Sequence, residues 1–291
     1  MYISYRSYLK SCNYCCSYCP FGKFKETEKQ VEKDKKALDK FYQFIKNQTS
    51  TISLFFTPYG EILGKEYYWE YFAAFSRLPI VETIGCQTNN SFPVEKMLGI
   101  FHRNQGERSK LRLWCTYHPD MVLEDIFLKQ CRKLGKEQIA YSVGVVAQNG
   151  KIGNIVSIRE KLPFSTYIWC NAIEGSSQKY TESEQEQLRA IDSYFENECI
   201  HLKSDSTKCI SGKTAVFIEA NGDYYGCHIS KVRMGNIYEN SEGIEFIKVL
   251  SKQAVQCMAR ECSCYLAYRL RTDLREKLPY DFFNRINNTE T

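Results

Sequence analysis

The chain has 291 residues, of which 43% are hydrophobic and 25% charged, and its formal net charge is +5. These values are typical of a soluble globular protein with room for one large domain and one small one. No basic run stands out, so we expect no nucleic-acid partner. The sequence contains no run of eighteen apolar residues and no signal peptide, which predicts no membrane span and a cytoplasmic location.

Short apolar runs alternate with amphipathic segments over the first two hundred residues. We predict strands at 2–9, 51–57, 82–88, 111–116, 138–146 and 166–172, and helices at 26–47, 65–77, 92–103, 121–134, 153–161 and 182–197. Thr181 and Glu184 are placed as in a capping box at the start of the last helix. This alternation predicts an α/β fold with a parallel sheet wound by right-handed crossovers. Six units make a partial (β/α)6 barrel, with functional residues at the carboxyl ends of its strands.

The chain has 14 cysteines, an unusual number for a cytosolic protein. In that compartment cysteines indicate metal or redox chemistry rather than a disulfide framework. Five of them are scattered singly and are explained as small buried side chains. The other nine fall in two clusters, at 12–19 and at 209–264.

The first cluster directly follows the first predicted strand. Cys12, Cys16 and Cys19 have the spacing Cys-x3-Cys-x2-Cys, and three such thiolates can hold three irons of a four-iron cluster while the fourth iron stays open. Cys15 completes two adjacent Cys-x2-Cys pairs, so a structural zinc site and a disulfide are alternatives. Zinc sites usually separate their pairs by a dozen or more residues, and the catalytic edge of a sheet favours a reactive cluster.

Candidate site residues lie within or just after each of the next five predicted strands. They are candidates for binding or catalysis because all of them fall on one edge of the sheet, although each alone is equally typical of a turn or core position. His118 is a candidate general base, and a His before Pro in a turn is also often structural. The candidates are Gly60, Glu61, Asn89, Tyr117, His118, Ser142 and Asn171.

The second cluster is organised by a predicted hairpin. Asn221-Gly222 is a strong hairpin signal, and it brings Cys209 and Cys227 together. A helix is predicted near 242–255, and the remaining cysteines of the group are Cys257, Cys262 and Cys264. A zinc ribbon also places cysteines on a hairpin, so zinc is an alternative here too. We therefore predict three regions: a barrel at 1–203, a cysteine-rich domain at 204–275 and a tail at 276–291.

Together these motifs resemble the radical S-adenosylmethionine (SAM) superfamily over nearly the full length. The resemblance implies a [4Fe–4S] cluster on Cys12, Cys16 and Cys19 that binds SAM. Tyr59 departs from the family's usual Gly-Gly-Glu pattern at its first position. The implied SAM-binding residues are Tyr18, Gly60, Glu61, Asn89, Ser142 and Asn171, and Tyr117 and His118 are implied to handle protons or hydrogen atoms.

The second cluster is similar to the SPASM/twitch extension of that superfamily. This implies a second [4Fe–4S] cluster on four of its five cysteines, which are Cys209, Cys227, Cys257, Cys262 and Cys264. The whole sequence also resembles a bacterial radical SAM family of unassigned function, through stretches at 11–14, 18–21, 56–61, 113–119 and 141–146.

The resemblance implies an enzyme that splits SAM and oxidises or crosslinks a peptide or protein side chain. It also implies an external one-electron donor such as flavodoxin or ferredoxin. Because the first predicted strand begins at residue 2, we expect a peptide to be recognised by a separate partner or by a groove on the barrel. The alternatives are a radical SAM enzyme of small-molecule or cofactor synthesis, and a non-catalytic zinc protein that binds a partner.

Overall fold

The structure is a computed structural model. It describes residues 1–173, 180–195, 202–230, 232–239, 257, 259–262, 266 and 270–275. The predicted helix near 242–255, Cys264 and the predicted tail at 276–291 lie outside these residues.

Six strands and six helices alternate over the first 191 residues. The strands are β1 (Tyr2–Arg6), β2 (Ile52–Phe56), β3 (Val81–Thr88), β4 (Leu111–Tyr117), β5 (Ala140–Ala147) and β6 (Ile168–Ala172). The helices are α1 (Glu28–Lys46), α2 (Glu66–Ser76), α3 (Val94–Arg103), α4 (Glu124–Lys136), α5 (Ile152–Lys161) and α6 (Glu182–Ile191). All twelve predicted elements are present, and both Thr27 and Thr181 form capping boxes at the helix starts. None of the described helices is long and apolar enough to cross a membrane.

Two predicted elements are shorter than expected because buried carboxylates capture the backbone beyond them. Strand β1 ends at Arg6 rather than at residue 9, since Asp34 of α1 accepts hydrogen bonds from the amides of Tyr8 (2.8 Å) and Leu9 (3.2 Å). Helix α6 ends at Ile191, and the next residue, Asp192, accepts hydrogen bonds from the amides of Tyr194 (3.0 Å) and Cys170 (2.9 Å). Each bond directs the chain away from the predicted element.

The main sheet is mixed but mostly parallel. Strands β1 to β6 lie side by side in chain order, all parallel, as the alternation predicts. The remaining strands are β7 (Leu202–Lys203), β8 (Ala215–Glu219), β9 (Asp223–Tyr225), β10 (Arg233–Asn236) and β11 (Glu261–Cys262), and the last described helix is α7 (Thr272–Arg275). Strand β8 pairs parallel with β1, and β9 and β10 extend the sheet as antiparallel strands. A separate two-stranded sheet joins β7 to β11.

The predicted hairpin at Asn221-Gly222 is confirmed as the connection between β8 and β9. Gly222 has a φ of +93°, which only glycine adopts without strain. A Cβ there would lie 2.3 Å from the Tyr238 ring. Because β8 is bonded to β1, the hairpin fixes the C-terminal cysteines beside the N-terminal strand.

The two faces of the sheet bury different groups. On the face covered by helices α1 to α6, aromatic rings form the main core; Tyr5 stacks on Phe41 with ring centroids 3.9 Å apart. The opposite face, here called the tryptophan face, carries a second cluster in which Trp114 and Trp169 lie 4.3 Å apart. Cys262 and Leu274 of the C-terminal segment pack into this second cluster. The segment therefore covers the face opposite the helices.

Candidate cofactor site

The loop after β1 is tied into a compact turn that holds three cysteines. The Cys12 amide donates to the Gly22 carbonyl at 3.2 Å, and the Cys19 amide donates to the Cys16 carbonyl at 3.2 Å. Gly22 has a φ of +78°, and a Cβ there would lie 2.5 Å from the Cβ of Cys12. The closed turn places Cys12, Cys16 and Cys19 at the carboxyl edge of the sheet.

Nitrogen donors surround the sulfur atoms of this loop. The amide of Tyr14 lies 3.4 Å from Cys12 Sγ, and the amide of Phe21 lies 3.4 Å from Cys19 Sγ. The side chain of Asn89, at the end of β3, donates to Cys12 Sγ at 3.7 Å. Donors of this kind stabilise thiolates, which are the form that binds iron.

The four thiols of the loop are not equivalent. Cys16 is buried, Cys12 and Cys19 are half-buried, and Cys15 is exposed. Burial, with a smaller contribution from the neighbouring sulfurs of Cys19 and Cys12, raises the pKa of Cys16 to about 11. Three mutually close sulfurs with an exposed fourth suit a three-ligand cluster better than a tetrahedral ion, and metal binding would have to displace the proton from Cys16.

Gly60 and Glu61 lie directly beside this loop. The Glu61 amide donates to the Ser11 carbonyl at 2.9 Å, and a Cβ on Gly60 would lie 1.9 Å from that same carbonyl oxygen. Only glycine allows the end of β2 to approach the cysteine loop this closely.

The carboxylate of Glu61 is buried and directed into the protein. It accepts hydrogen bonds from the amides of Leu63 (2.9 Å) and Asn89 (2.6 Å) and from the Thr88 hydroxyl (2.9 Å). Burial raises the pKa of this carboxyl to about 7, although the amides of Asn89 and Leu63 oppose that shift. The side chain thus joins the ends of β2 and β3, and its backbone amide joins both to the cysteine loop.

His118 contacts the cysteine loop, whereas Tyr117 does not face it. The Tyr18 hydroxyl lies 2.6 Å from His118 Nδ1, and Cys16 Sγ lies 3.5 Å from the same nitrogen. Burial lowers the pKa of His118 to about 4, so the imidazole is neutral at pH 7. Tyr117 packs on Phe127 of α4 with ring centroids 5.0 Å apart and belongs to the core on the helix face.

Ser142 and Asn171 both lie on the tryptophan face. Ser142 is fully buried and pairs with Trp114 in the sheet register. The strand register also fixes its height in the sheet. One row of paired residues crosses strands β1 to β5 and consists of Tyr5, Phe56, Cys86, Leu113 and Tyr141. Ser142 is the residue after Tyr141, so it is level with the carboxyl end of β1. Asn171 is half-buried and pairs with Val146, further toward the carboxyl edge.

Two threonines on the tryptophan face were not among the sequence candidates. The hydroxyls of Thr57, just after β2, and Thr116, in β4, are buried and have no hydrogen-bond partner within the described part of the chain. A buried hydroxyl without a partner is costly unless a ligand satisfies it. Threonine is common in strands, so the sequence offered no signal that distinguished these two.

The C-terminal cysteines gather around Cys209. The pKa of Cys209 is raised to about 11 by burial and, in part, by the nearby sulfurs of Cys227, Cys262 and Cys257. The Ser211 amide donates to Cys209 Sγ at 3.4 Å. Four of the five predicted auxiliary ligands are therefore neighbours, and the fifth, Cys264, lies outside the described residues.

Arg271 is a third residue that sequence analysis missed. Its buried guanidinium is held by Asp273 at 2.7 Å and by the Lys203 carbonyl at 2.7 Å, and it bonds the Cys262 thiol. The positive charge partly offsets the effect of burial on the Cys262 pKa. A lone arginine after a cysteine cluster has no sequence signature.

Within the ranges described, no group of three or more His, Cys, Asp or Glu side chains is arranged closely enough to hold a single metal ion. A four-iron cluster spaces its ligands more widely than one ion does, because each thiolate binds a different iron. Four-iron clusters are held by cysteine thiolates, and both groups present that donor chemistry.

Comparison with known proteins shows what this fold is. No protein-family model matches the sequence, and no curated protein matches it. Solved structures do match. The protein anSMEcpe with bound AdoMet (SAM) has a TM-score of 0.54 and 13% identity, with 87% of this chain and 81% of that chain covered.

Streptococcus suis SuiB bound to S-adenosylmethionine has a TM-score of 0.55 and 11% identity, with 91% of this chain and 73% of that chain covered. A structure of anSMEcpe with AdoMet and the Cp18Cys peptide has a TM-score of 0.53 and 15% identity, covering 93% and 87%. All three structures have S-adenosylmethionine bound, and this chain shares their fold, as the resemblance of its motifs implies.

Proposed function

We propose that this protein is a radical SAM enzyme that modifies a peptide or protein side chain with help from an auxiliary cluster. The observation that supports it most is the N-terminal loop, where three thiols converge at the carboxyl edge of the sheet while Cys15 is exposed. The six parallel strands would form the partial barrel, and the tryptophan face would form its interior.

Cys12, Cys16 and Cys19 would hold the first [4Fe–4S] cluster. When bound, that cluster supplies the electron that splits SAM into methionine and a 5′-deoxyadenosyl radical, which removes a hydrogen atom from the substrate. The amide and side-chain donors of Tyr14 and Asn89 on Cys12, and the amide of Phe21 on Cys19, would help to hold these two sulfurs as thiolates.

Other residues would position SAM rather than react with it. Gly60 lets the end of β2 lie against the cysteine loop, where SAM would bind, and the buried Glu61 fixes that backbone in place. Ser142 and Asn171 lie on the face where the ribose and adenine would bind. The unpartnered hydroxyls of Thr57 and Thr116 face the same interior and would bind polar groups of SAM or substrate.

Two observations support a peptide substrate and a second cluster. A matching structure of anSMEcpe contains a bound peptide as well as AdoMet. Cys209, Cys227, Cys257 and Cys262 gather beside β1, and they would hold an auxiliary [4Fe–4S] cluster that takes up the electron left on the substrate.

Anaerobic reconstitution tests this proposal. Protein reconstituted with iron and sulfide should contain about eight irons per chain, four for each cubic cluster. With dithionite and SAM it should release 5′-deoxyadenosine. One zinc per cysteine group, with no acid-labile sulfide, would instead establish the zinc alternative. A small precursor peptide that binds the protein and gains a crosslink or loses hydrogen would identify the substrate class.

A further inference from the structure

An exposed segment of aromatic and basic residues lies directly beside the first cysteine loop. We call residues 21–25, Phe-Gly-Lys-Phe-Lys, the basic loop. The side chains of Phe21 and Phe24 are 46% and 48% exposed, and Lys23 and Lys25 are also exposed. The Phe21 amide bonds Cys19 Sγ at 3.4 Å, so the basic loop begins at a predicted cluster ligand.

The surface around the basic loop is continuous. The Phe21 ring lies 4.6 Å from the Tyr59 ring, and Lys10 Nζ lies 5.6 Å from the same ring. Lys10, Tyr59 and the basic loop therefore form one patch, with aromatic rings among its charges. Apolar rings with a charged rim are typical of a protein–protein interface.

The charge of this patch has one sign. Residues 7–25 contain three lysines, at positions 10, 23 and 25, and no aspartate or glutamate. Glu26 follows at once, but its carboxylate accepts the backbone amides of Lys10 (2.7 Å) and Ser11. The nearest carboxylate is thus occupied by the backbone and does not pair with these lysines.

Radical SAM chemistry consumes one electron for each SAM that is reductively split, and the donor must come from outside the chain. We propose that Lys10, Tyr59 and the basic loop form the docking surface for an acidic one-electron carrier of the flavodoxin class. The reduced carrier gives up one electron, the cluster on Cys12, Cys16 and Cys19 gains it, and no bond or proton changes at the docking face. This inference rests on the first part of the proposed function, the N-terminal cluster.

The positive charge of the patch favours an acidic carrier over an apolar partner. Opposite charges steer two proteins together, and the attraction weakens as salt screens it beyond about 10 Å at 0.1 M. The exposed aromatic rings of the patch would add apolar contact with the carrier, and salt does not screen such contact. The position next to Cys19 gives the carrier a short path to the cluster.

The test uses a charge-reversed pair and a matched control. K23E/K25E reverses two lysines of the basic loop. K46E/K136E makes the same change in charge at the last turns of α1 and α4, both exposed and at the opposite edge of the sheet. The first measurement is the binding of an oxidised, strongly acidic flavodoxin by calorimetry at low and high salt. The second is 5′-deoxyadenosine release driven by the reduced flavodoxin or by dithionite.

We expect K23E/K25E to weaken flavodoxin binding at least tenfold at low salt and to slow flavodoxin-driven release by a similar factor. Its dithionite-driven release should equal that of the unaltered protein, and K46E/K136E should match the unaltered protein in every measurement. Phe24→Ser should weaken binding several-fold even at high salt.

Three results would overturn the docking surface: unchanged flavodoxin binding by K23E/K25E, an equal loss in the control pair, or an equal loss of dithionite-driven release. The last result would assign the basic loop to the cluster or to the substrate. If the unaltered protein released no 5′-deoxyadenosine with dithionite, the proposed function would fail instead, and the binding measurements would still decide where a carrier docks.

Discussion

At the scale of single residues, the site depends on groups that hold the cysteine loop in place. His118 illustrates this. Burial lowers its pKa to about 4, so the imidazole is neutral at pH 7, and its Nδ1 is hydrogen-bonded to the Tyr18 hydroxyl 2.6 Å away. Such an imidazole is a weak general base, since a base works best with a pKa near the working pH. Its contact with Tyr18 instead fixes the aromatic residue that precedes Cys19.

The contrast between Cys15 and Cys16 gives a direct prediction. Cys16→Ala should remove one of three ligands, so the N-terminal cluster and SAM cleavage should both be lost. Cys15→Ala should retain both, because Cys15 is exposed and outside the group of three close sulfurs. Iron and sulfide analysis with 5′-deoxyadenosine release would measure the difference. Equal loss in the two variants would show that the ligand set is wrong.

Glu61 gives a second prediction at this scale. Glu61→Gln should lower the free energy of unfolding by about 1–3 kcal/mol, because the new nitrogen cannot accept an amide hydrogen bond and leaves a buried donor unpaired. Urea denaturation of the metal-free protein measures this. Glu70→Gln on the exposed side of α2 is the control and should change stability by less than about 0.5 kcal/mol.

The same pair tests the pKa of Glu61. The folded-state pKa, about 7, is raised above the unfolded value, so folding favours the protonated form. That stabilisation is complete below the unfolded pKa, at about pH 4, and is lost as the pH rises through about 7. The advantage of the unaltered protein over Glu61→Gln should therefore be larger at low pH and smaller in alkaline solution. An advantage that grows with pH would mean that the three donors outweigh burial.

At the scale of elements, hydrophobic periodicity identified strands and helices where a single pattern dominates. The six-fold alternation and the Asn221-Gly222 turn were predicted because each leaves a local signal in the sequence. The ends of β1 and α6 were not, because Asp34 and Asp192 act on backbone that is distant in sequence. The same limit applies to the site: cysteine spacing is local, whereas the contact of Tyr18 with His118 and of Arg271 with Cys262 depends on the fold.

The tight turn between β8 and β9 gives a prediction about stability. Gly222→Ala should destabilise the protein by about 1–3 kcal/mol, since alanine is strained at a φ of +93° and its Cβ would collide with Tyr238. Gly150→Ala is the matched control, because its φ is +72° but no atom lies within 4 Å of the added Cβ. It should cost about 1 kcal/mol, from backbone strain alone.

Thermal or urea unfolding compares the two glycine variants. A Gly222→Ala protein as stable as Gly150→Ala would mean that Tyr238 moves away freely and that the hairpin is not held against the sheet. If the hairpin shifts instead, iron bound by Cys209 and Cys227 should fall while the N-terminal cluster is retained. Separate EPR signals for the two clusters would show this.

At the scale of the whole molecule, the two cysteine groups are joined by one sheet. Strand β8 bonds along β1, and Arg6 of β1 lies between the rings of Tyr59 (4.3 Å) and Phe217 (4.7 Å). Tyr59 adjoins the cysteine loop, and Phe217 belongs to the hairpin strand that leads to Cys227. Arg6 therefore lies between residues that adjoin the two cysteine groups.

This connection predicts how the chain tolerates truncation. The division at residue 203, expected from the cysteine and hairpin motifs, separates β1 from its neighbour β8 and removes Val216 and Ile218 from the main core. A chain ending at residue 203 should therefore expose the edge of β1 and the tryptophan face, and should aggregate or unfold without cooperativity. A chain ending at residue 275 keeps every contact described here and should unfold as cooperatively as the full chain. If the shorter chain were monomeric, folded and able to bind the first cluster, the two cysteine groups would belong to independent domains, and their chemistry would have to be coupled by the substrate alone.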